Sequence, residues 1–488
     1  MKKKYVRWTL WTIASPFILF IILCILIYLP PIQNFLVDKA AVYASEATGM
    51  NISVGRISLS FPLNLVVTNV DAASPHNDTL LSVRRLQVNV QLLPLLKKQV
   101  EVDGISLQGA TVNSNDLIHG MKLNGTLGEL FISSHGVALD PETAIVNKVL
   151  LKDTDLSLCL NDTAAADTAA SDTTYWKIIL QDIDLQNVSF ALDMPLDSLS
   201  LAASLDNAIL RDGLIDLHKS AYSLQTFRIE NGRVRYDNGK PLAADSLSSG
   251  LDPSHIALTD IGVKLDSLYY GGRNMKAIIS QFVLKERSGV EIVSATGRMV
   301  SNDKVLRVPS LKLETRDSYL ELNAAMDWNA LDFKDEGLVS ARLMADIGKP
   351  DVVRFMGSMD EKFIRQYPSE PLRIRTGIDG DLNKLKLTTL TAELPGALGL
   401  FARGELTHLT DSLLRGGDIT LEAETKDLKF VSTLAEGIEI PYGTRLEGKF
   451  TMAGTKMGTD LLLMQPEAQA VVAADTIPIT VYNDSISV

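Results

Sequence analysis

Residues 52–70 read ISVGRISLSFPLNLVVTNV, and apolar side chains occupy alternate positions from Ile57 to Val67. A period of two is typical of β-strands that have one apolar face. From Asn51 onward nearly the whole chain repeats this pattern. The sequence therefore predicts a mainly β fold, in which an elongated, curled and repetitive β-sheet groove with a hydrophobic interior follows the N-terminal helices.

Composition excludes several classes of function. The chain has 488 residues and a formal net charge of -12, and no basic face that could bind nucleic acid is present beyond the first few residues. Its only cysteines are Cys24 and Cys159, which excludes a disulfide framework and a thiolate metal site. The fold must therefore be stabilised by burial and by backbone pairing.

The N-terminus predicts a membrane anchor. After the basic segment 1–7, residues 8–29 carry no charge, and as a helix they would span about 33 Å. A cleavable signal peptide is the alternative, but its apolar region is normally shorter. We expect an uncleaved transmembrane helix over 8–30, with the basic segment in the cytoplasm and the bulk of the protein on the other side of the membrane.

A short amphipathic helix is predicted for residues 31–49. Its apolar residues recur at helical spacing, and Gly49 stands where a left-handed residue would end the helix. The helix either lies on the membrane surface or covers the open end of the β region.

Within the β region, the alternation changes phase at breaks in the pattern. VEVDGISLQGATV (100–112) changes phase at Gly104, which indicates a β-bulge that keeps the apolar set on one face. LQDIDLQNVSF (180–190) superposes on residues 102–112, and LTTLTAELPGALGLF (387–401) aligns with VPSLKLETRDSYLEL (308–322) at an offset of about 79 residues. These weak repeats predict one unit added many times.

Other segments define the remaining organisation. Short helices are predicted near 351–359 and 427–436, and a low-complexity flexible linker is predicted at 161–175. The linker separates an N-terminal β region (50–160) from a repetitive β-groove region (176–488). Because the chain stops within an alternating segment, we expect it to be truncated at its C-terminus.

Nothing in the sequence predicts catalysis. The six histidines share no turn or strand face, and neither a phosphate-binding loop nor a nucleophile motif is present. Asp153 and Asp155 could act as an acid/base pair, but a solvated strand face explains them better. We expect a protein that is not an enzyme and that uses no cofactor and no metal.

Two architectures would satisfy the alternation. A sandwich buries its apolar faces against another sheet, but a sandwich usually closes after about a hundred residues. Here the pattern continues without a helical layer, so we favour an open groove. The residues predicted to line the groove keep one phase within each strand, and they are Ile57, Leu59, Phe61, Leu63, Leu65, Val88, Val90, Ile105, Leu107, Ile183, Leu185, Leu311 and Leu313.

Residues 48–113 resemble the N-terminus of the AsmA-like superfamily, and within it the TamB family. The resemblance rests on the predicted anchor, the helix that ends in TG, the VGRISLS strand, and LLPLL leading to VEVDGISL. Residues 377–414 are similar to the repeating middle of TamB proteins. The resemblance covers the first quarter of the chain well and the rest loosely.

The resemblance implies anchoring in the inner membrane of a diderm bacterium, with a β groove in the periplasm that carries phospholipid acyl chains toward the outer membrane. It also implies a non-conducting alternative, a scaffold for outer-membrane protein translocation and assembly with a BamA-like partner. Compared with this family, we expect the chain to be without the C-terminal domain that would contact this partner. An enzyme or a receptor is the third alternative.

Overall fold

The computed structural model describes residues 39, 41, 42, 45, 46, 49–60, 64–74, 79–90, 102–114, 120–138, 142–161, 175–240, 250–334, 337–356, 361–433, 442–454, 456–464, 471–482 and 485–487. The predicted cytoplasmic segment (1–7) and transmembrane helix (8–30) lie outside these residues. Among the residues that are described, no helix is long and apolar enough to cross a bilayer. The prediction of a mainly β protein is confirmed.

The described part of the predicted helix 31–49 is helical at residues 39, 41, 42, 45 and 46. Gly49 has a φ of 69°, and its N–H donates a hydrogen bond of 2.9 Å to the carbonyl oxygen of Ser45. This left-handed conformation ends a helix. The Ser45 hydroxyl then accepts a bond of 3.0 Å from the N–H of Ile52, which joins the helix end to the first strand.

The chain divides into two compact units: unit 1 is Met1–His218 with Tyr236–Gly239, and unit 2 is Lys219–Arg235 with Lys240–Val488. The described residues of unit 1 form eight strands, which are β1 (Asn51–Ser60), β2 (Asn64–Ala73), β3 (Thr79–Val90), β4 (Val102–Asn113), β5 (Met121–Ala138), β6 (Thr143–Leu160), β7 (Lys177–Met194) and β8 (Leu199–Asp216). A 3₁₀ turn at Pro195–Asp197 connects the last two strands. Each strand pairs with the next one in sequence, and every pair is antiparallel except β6 with β7.

The stretch 52–70 that opened the sequence analysis forms a hairpin of β1 and β2. Ile57 pairs with Val67 and Leu59 pairs with Leu65. Cross-strand partners share a face, so the apolar set stays on one side although the chain reverses. Pro62 lies between the two strands in sequence. Proline has no backbone N–H to donate, so it does not continue the hydrogen bonding of a strand.

The predicted linker 161–175 lies between β6 and β7, and its residues 162–174 are outside the described part of the chain. The two strands that it connects are paired in parallel within unit 1. The first unit ends at His218, apart from Tyr236–Gly239.

Unit 2 contains most of the remaining strands. They are β9 (Ala221–Leu224), β10 (Thr226–Asp237, whose last residues belong to unit 1), β11 (His255–Gly271), β12 (Asn274–Glu286), β13 (Glu291–Ser301), β14 (Val305–Thr315), β15 (Tyr319–Asp327), β16 (Leu338–Ile347), β17 (Leu372–Asp381), β18 (Lys384–Leu394), β19 (Leu398–Thr407), β20 (Gly416–Thr425), β21 (Arg445–Ala453), β22 (Lys456–Met464), β23 (Val471–Tyr482) and β24 (Ser485–Ser487). From β11 to β24 each strand pairs antiparallel with the next. β9 also pairs with β11.

Where unit 2 is described, three short helices interrupt its strands: α1 (Trp328–Leu331), α2 (Lys349–Phe355) and α3 (Glu361–Gln366). Helix α2 overlaps the helix predicted for 351–359, whereas α1 and α3 were not predicted. The helix predicted for 427–436 is wrong in its described part, where only a 3₁₀ turn forms at Val431–Thr433. Residues 434–436 lie outside the described residues.

The repeat at an offset of about 79 residues is confirmed as a repeated hairpin. β14 with β15 and β18 with β19 are hairpins whose strands begin at matching positions and end within one residue of each other. Each contains a register shift at the same place, between Val308 and Leu311 in the first hairpin and between Leu387 and Leu390 in the second. The repeated element is therefore a bulged hairpin.

Candidate functional site

Two apolar ladders cross all eight strands of unit 1. In each ladder every residue lies opposite the next in the Cα register of neighbouring strands. The first ladder is Leu59, Leu65, Val88, Ile105, Ile132, Val149, Ile183 and Leu210, and the second is Ile57, Val67, Leu86, Leu107, Leu130, Leu151, Leu185 and Ala208. With strands about 4.8 Å apart, each ladder is about 34 Å long.

Most of the residues predicted to line a groove in unit 1 belong to these two ladders. They are Ile57, Leu59, Leu65, Val88, Ile105, Leu107, Ile183 and Leu185. Val90 lies opposite Val102, one row beyond the first ladder. A register shift separates this row from the ladder, as the phase change at Gly104 predicts. Phe61 and Leu63 lie outside the described residues. Contact of these side chains with lipid stays a prediction.

The alternate positions form a polar face. One row beside the ladders contains no apolar residue, and its members are Arg56, Thr68, Arg85, Gln108, Glu129, Lys152, Gln186 and Asn207. The row between the two ladders is mixed and includes Ser58 and Ser106 together with Phe131 and Leu150. Unit 1 therefore has one apolar face and one largely polar face.

A row of residues at which the strands bend lies beside the second ladder, and we call it the bend row. It was not predicted from the sequence. It interrupts the Cα register of every strand pair from β1 to β8 and consists of Gly55, Asn69, Arg84, Gly109, Gly128, Asp153, Asn187 and Asp206. Asn69, Gly109, Asp153 and Asn187 have φ values between 50° and 61°. Gly, Asn and Asp tolerate this left-handed conformation better than other residues.

The bend row changes the phase of the alternation. In β1, Ile52, Val54, Ile57 and Leu59 are partly buried, while the residues between them are exposed. The row beyond the bends is again apolar except at Thr154, and it consists of Val54, Val70, Val83, Ala110, Leu127, Thr154, Val188 and Leu205. The bends thus keep apolar rows on one side of the sheet across a break in periodicity.

Unit 2 carries two ladders of the same kind. The first runs from β13 to β21 through Ala295, Leu313, Leu320, Ala345, Ile374, Ala392, Leu400, Ala423 and Leu446. The second runs from β14 to β21 through Leu311, Leu322, Leu343, Thr376, Leu390, Ala402, Leu421 and Gly448. The predicted groove residues Leu311 and Leu313 therefore lie in adjacent ladders.

The opposite face of the unit 2 sheet is charged. One of its rows consists of Glu314, Tyr319, Asp346, Arg373, Glu393, Gly399, Glu424 and Arg445. Arg375 on the same face binds the carboxylate of Asp346 at 2.6 Å and donates to the carbonyl oxygen of Ala345 at 2.8 Å. In unit 1, Arg211 binds Asp184 at 2.8 Å and the carbonyl oxygen of Ile183 at 3.1 Å. Each arginine thus contacts residues diagonally opposite on the neighbouring strand. These contacts on the polar face hold the register of the strand pair.

The ladder residues are partly exposed. In unit 1 every ladder member except Ala208 keeps a partly exposed side chain, and in unit 2 only Ala295, Ala345 and Ala402 are buried. In a closed sandwich the leucines of facing sheets would be buried. The apolar faces therefore leave surface available to a ligand.

Two small cores cover the strand ends of unit 2. The first, near the turn between β18 and β19, consists of Phe363, Tyr367, Leu394, Ala397, Leu428 and Phe430. The second, at the other end of the strands, consists of Ala330, Val339 and Leu382, with Met326, Ile378, Leu385 and Leu409 packed against it. The ladder that contains Leu311 and the ladder that contains Leu313 lie between these two cores.

Helix α2 is fixed by a buried carboxylate. Asp351 is 1% exposed and accepts hydrogen bonds from the hydroxyls of Thr315 and Ser318 and from the guanidinium of Arg354. Arg354 also binds Asp317 at 2.8 Å. Burial opposes the charge of Arg354, but the hydrogen bonds to Asp317 and Asp351 outweigh it and raise the pKa of the guanidinium above its ordinary value. The network joins α2 to the turn between β14 and β15.

The acidic pair considered from sequence has a structural role. Asp153 accepts a hydrogen bond of 2.9 Å from the Asn187 side chain, and Asp155 accepts one of 2.7 Å from the Ser189 hydroxyl. Both carboxylates are exposed and bind across the β6–β7 pair. Within the described part of the chain, no cluster of three His, Cys, Asp or Glu side chains could hold a metal ion.

One titratable pair lies at the start of β11. His255 is 9% exposed, and its Nδ1 donates a hydrogen bond of 2.7 Å to Asp252 Oδ2. This bond, together with one from the Ser254 N–H, lowers the pKa of the Asp252 carboxyl below its ordinary value.

Searches against protein-family models and against curated proteins return no match to this chain.

Proposed function

We propose that the apolar faces bind the acyl chains of phospholipid, and that the protein carries phospholipid between the inner and outer membranes of a diderm bacterium. The observation that carries this proposal is the continuity of the apolar ladders, which cross eight strands in unit 1 and nine in unit 2 while their side chains stay partly exposed. In each unit the ladders form the floor of a groove.

The physical argument concerns the cost of exposing an acyl chain to water. About fifteen methylenes at about 0.8 kcal/mol each would cost about 12 kcal/mol. Rows of leucine, isoleucine and valine remove much of this cost at each position along the ladder. In the two ladders of unit 1 neighbouring positions are chemically alike, so an acyl chain can move along them without crossing a polar side chain.

The resemblance to the AsmA-like superfamily supports the same proposal, together with anchoring in the inner membrane. The role as a scaffold for outer-membrane protein assembly makes no use of a partly exposed apolar ladder, so the conducting role accounts for more of the structure.

The test is capture of lipid by the purified full chain. Native mass spectrometry of the detergent-extracted protein should show bound phospholipid. A photo-crosslinking residue at Leu107 should label lipid, whereas one at Ser106, which faces the opposite side of β4, should not. Absence of lipid from both measurements would reject the proposal in favour of the scaffold, and equal labelling at both positions would reject a groove on one face.

A further inference from the structure

Residues of β10, β11 and β12 line a pocket of about 530 Å³ in unit 2. We call it the β10–β12 pocket. It is lined by residues 228–231 of β10, by residues of β11 between 260 and 264, and by Gln281 and Val283 of β12. None of them belongs to the apolar ladders of this unit, which begin at β13. Sites for small ligands typically have volumes of about 300–1,000 Å³.

The pocket lies where two strands bend. Asn231 of β10 and Asp260 of β11 line it and have φ values of 53° and 52°. β10 is close to β11 beside these bends, since a Cβ atom placed on Gly232 would lie 3.2 Å from the Cβ of Ile261. A bend interrupts the alternation of faces along a strand. This explains how consecutive residues of β10 can line one pocket.

Hydrogen-bond donors from three strands line the β10–β12 pocket. They are the guanidinium of Arg228 on β10, the ammonium of Lys264 on β11 and the side-chain amide of Gln281 on β12. Lys264 and Gln281 are partners in the Cα register of their strands, so their side chains lie on the same side of the sheet. Two cationic donors and one neutral donor in one pocket favour an anionic ligand.

The two cations are poorly neutralised by the protein itself. Arg228 is partly buried, and its guanidinium has no hydrogen-bond or ion-pair partner among the residues that the structure describes. Lys264 Nζ lies 4.0 Å from Asp266 Oδ1, which is too far for a hydrogen bond. A charged group that is partly removed from water and left unpaired has a cost, which a bound anion would offset.

The carboxylates that line the pocket have other partners. Asp260 Oδ2 lies 2.8 Å from the ammonium nitrogen of Lys285, a residue that does not line the pocket. Glu230 also makes an interaction of its own, and Arg228 takes part in neither contact. The charge of Arg228 therefore remains available to a ligand.

We propose that the β10–β12 pocket binds a phosphate group, carried either by free phosphate or by the headgroup of a lipid. Arginine binds phosphate through two parallel hydrogen bonds, and lysine adds a point charge, so Arg228 and Lys264 together favour this anion. The Gln281 amide adds a neutral donor. The inference does not rest on the proposed function, because the residues of the pocket are separate from the ladders that would bind acyl chains.

The test is isothermal titration calorimetry of the detergent-extracted full chain with inorganic phosphate, with glycerophosphoglycerol and with acetate. At least one of the two phosphate compounds should bind, and acetate should bind more weakly than it. Tighter binding of glycerophosphoglycerol would support the pocket and identify a lipid headgroup as the source of the phosphate, whereas tighter binding of inorganic phosphate would support it and identify free phosphate.

Variants assign the binding to the pocket. Arg228→Gln should weaken binding of the phosphate compound about tenfold, because it removes the charged fork and keeps a polar side chain. Lys264→Gln should weaken it in the same direction. Arg298→Gln is the matched control, since Arg298 is an exposed arginine of β13 outside the pocket, and it should bind like the unmodified protein.

Circular dichroism shows whether each variant is folded, and either pocket variant is sufficient for the test if the other does not fold. Binding of neither phosphate compound to the unmodified protein would overturn the proposal, as would acetate that binds as tightly as both. Unchanged binding in the folded pocket variants would overturn it too. An equal loss in Arg298→Gln would show that the charge of the whole surface, and not the pocket, attracts the anion.

Discussion

Ile105 of β4 and Ile183 of β7 occupy one apolar ladder, with Ile132 and Val149 between them. The two residues also hold matching places in the weak repeat that aligns 102–112 with 180–190. Gly109 and Asn187, which match in the same alignment, have φ values of 61° and 51° and lie in the bend row. The repeat thus encodes both the apolar row and the bend beside it.

The bend row gives a prediction for Asn187. Asn187→Val should destabilise unit 1 by about 1–2 kcal/mol, because a β-branched side chain is strained at positive φ. Asn187→Gly should change stability by less than about 0.5 kcal/mol, since relief of strain offsets the loss of the hydrogen bond to Asp153. Urea denaturation measures both, and equal effects of Val and Gly would show that the positive φ has no energetic role.

The apolar rows were predictable because alternation is a local property. A side chain's face in a strand follows from its position alone, so Ile57, Leu107 and Leu313 could be assigned without knowledge of the pairing. The phase change at Gly104 was found because valines and isoleucines stand on both sides of it. The second phase change, at Gly109, was not predicted, because only two apolar residues, Ala110 and Val112, follow it before the strand ends.

Features that depend on distant contacts were not predictable. Helix α3 has six residues, too few to show a helical period. The core around Phe363 combines α3 with the turn after β18 and with the segment after β20.

Phe363 should be the most sensitive apolar residue of the core that includes α3. Its side chain is 2% exposed and packs against Tyr367 and Phe430, with ring centroids 5.4 and 5.8 Å away. Phe363→Ala should lower the free energy of unfolding by about 3–5 kcal/mol, because it leaves a cavity. Leu413→Ala, at an exposed position, should change it little, and a similar loss for both variants in thermal denaturation would contradict the assignment of the core.

Asp351 should be more important for stability than its small size suggests. Asp351→Ala removes the acceptor of the Thr315 and Ser318 hydroxyls and one of the two carboxylates that bind Arg354, which keeps its bond to Asp317. Loss of these buried hydrogen bonds should cost about 1–3 kcal/mol. The matched control is Glu361→Ala, which removes an exposed ion pair with Arg365 and should leave the unfolding midpoint unchanged. If both variants unfold at the same denaturant concentration, the buried network does not hold α2.

The Asp252–His255 contact predicts a pH dependence. Because the pKa of Asp252 is lowered in the folded protein, its stabilising effect is fully present above the ordinary aspartate pKa and is lost as the pH falls through the lowered value. Asp252→Asn should therefore weaken the decline of stability below about pH 4. The measurement is the unfolding midpoint as a function of pH, and parallel curves for both proteins would exclude a contribution from this pair.

The last prediction distinguishes transport of lipid along the ladders from a purely structural role of the ladders. Leu107→Arg places a charge within the second ladder of unit 1, and an acyl chain passing it would displace the water around the guanidinium. A barrier of a few kcal/mol would slow passage at least tenfold. Since the ladder is partly exposed, the arginine can extend toward solvent and the fold should persist. Ser106→Arg, on the opposite face of the same strand, is the matched control.

Both variants should fold with the circular dichroism spectrum of the unmodified protein. In cells that lack redundant transporters, Ser106→Arg should restore the outer-membrane barrier, measured as resistance to detergent, and Leu107→Arg should not. Retention of bound lipid in purified Leu107→Arg would show that the groove still fills while movement along it is blocked. A folded Leu107→Arg protein that restores the barrier fully would refute conduction along this ladder, because a charge in the path would then have no effect on transport.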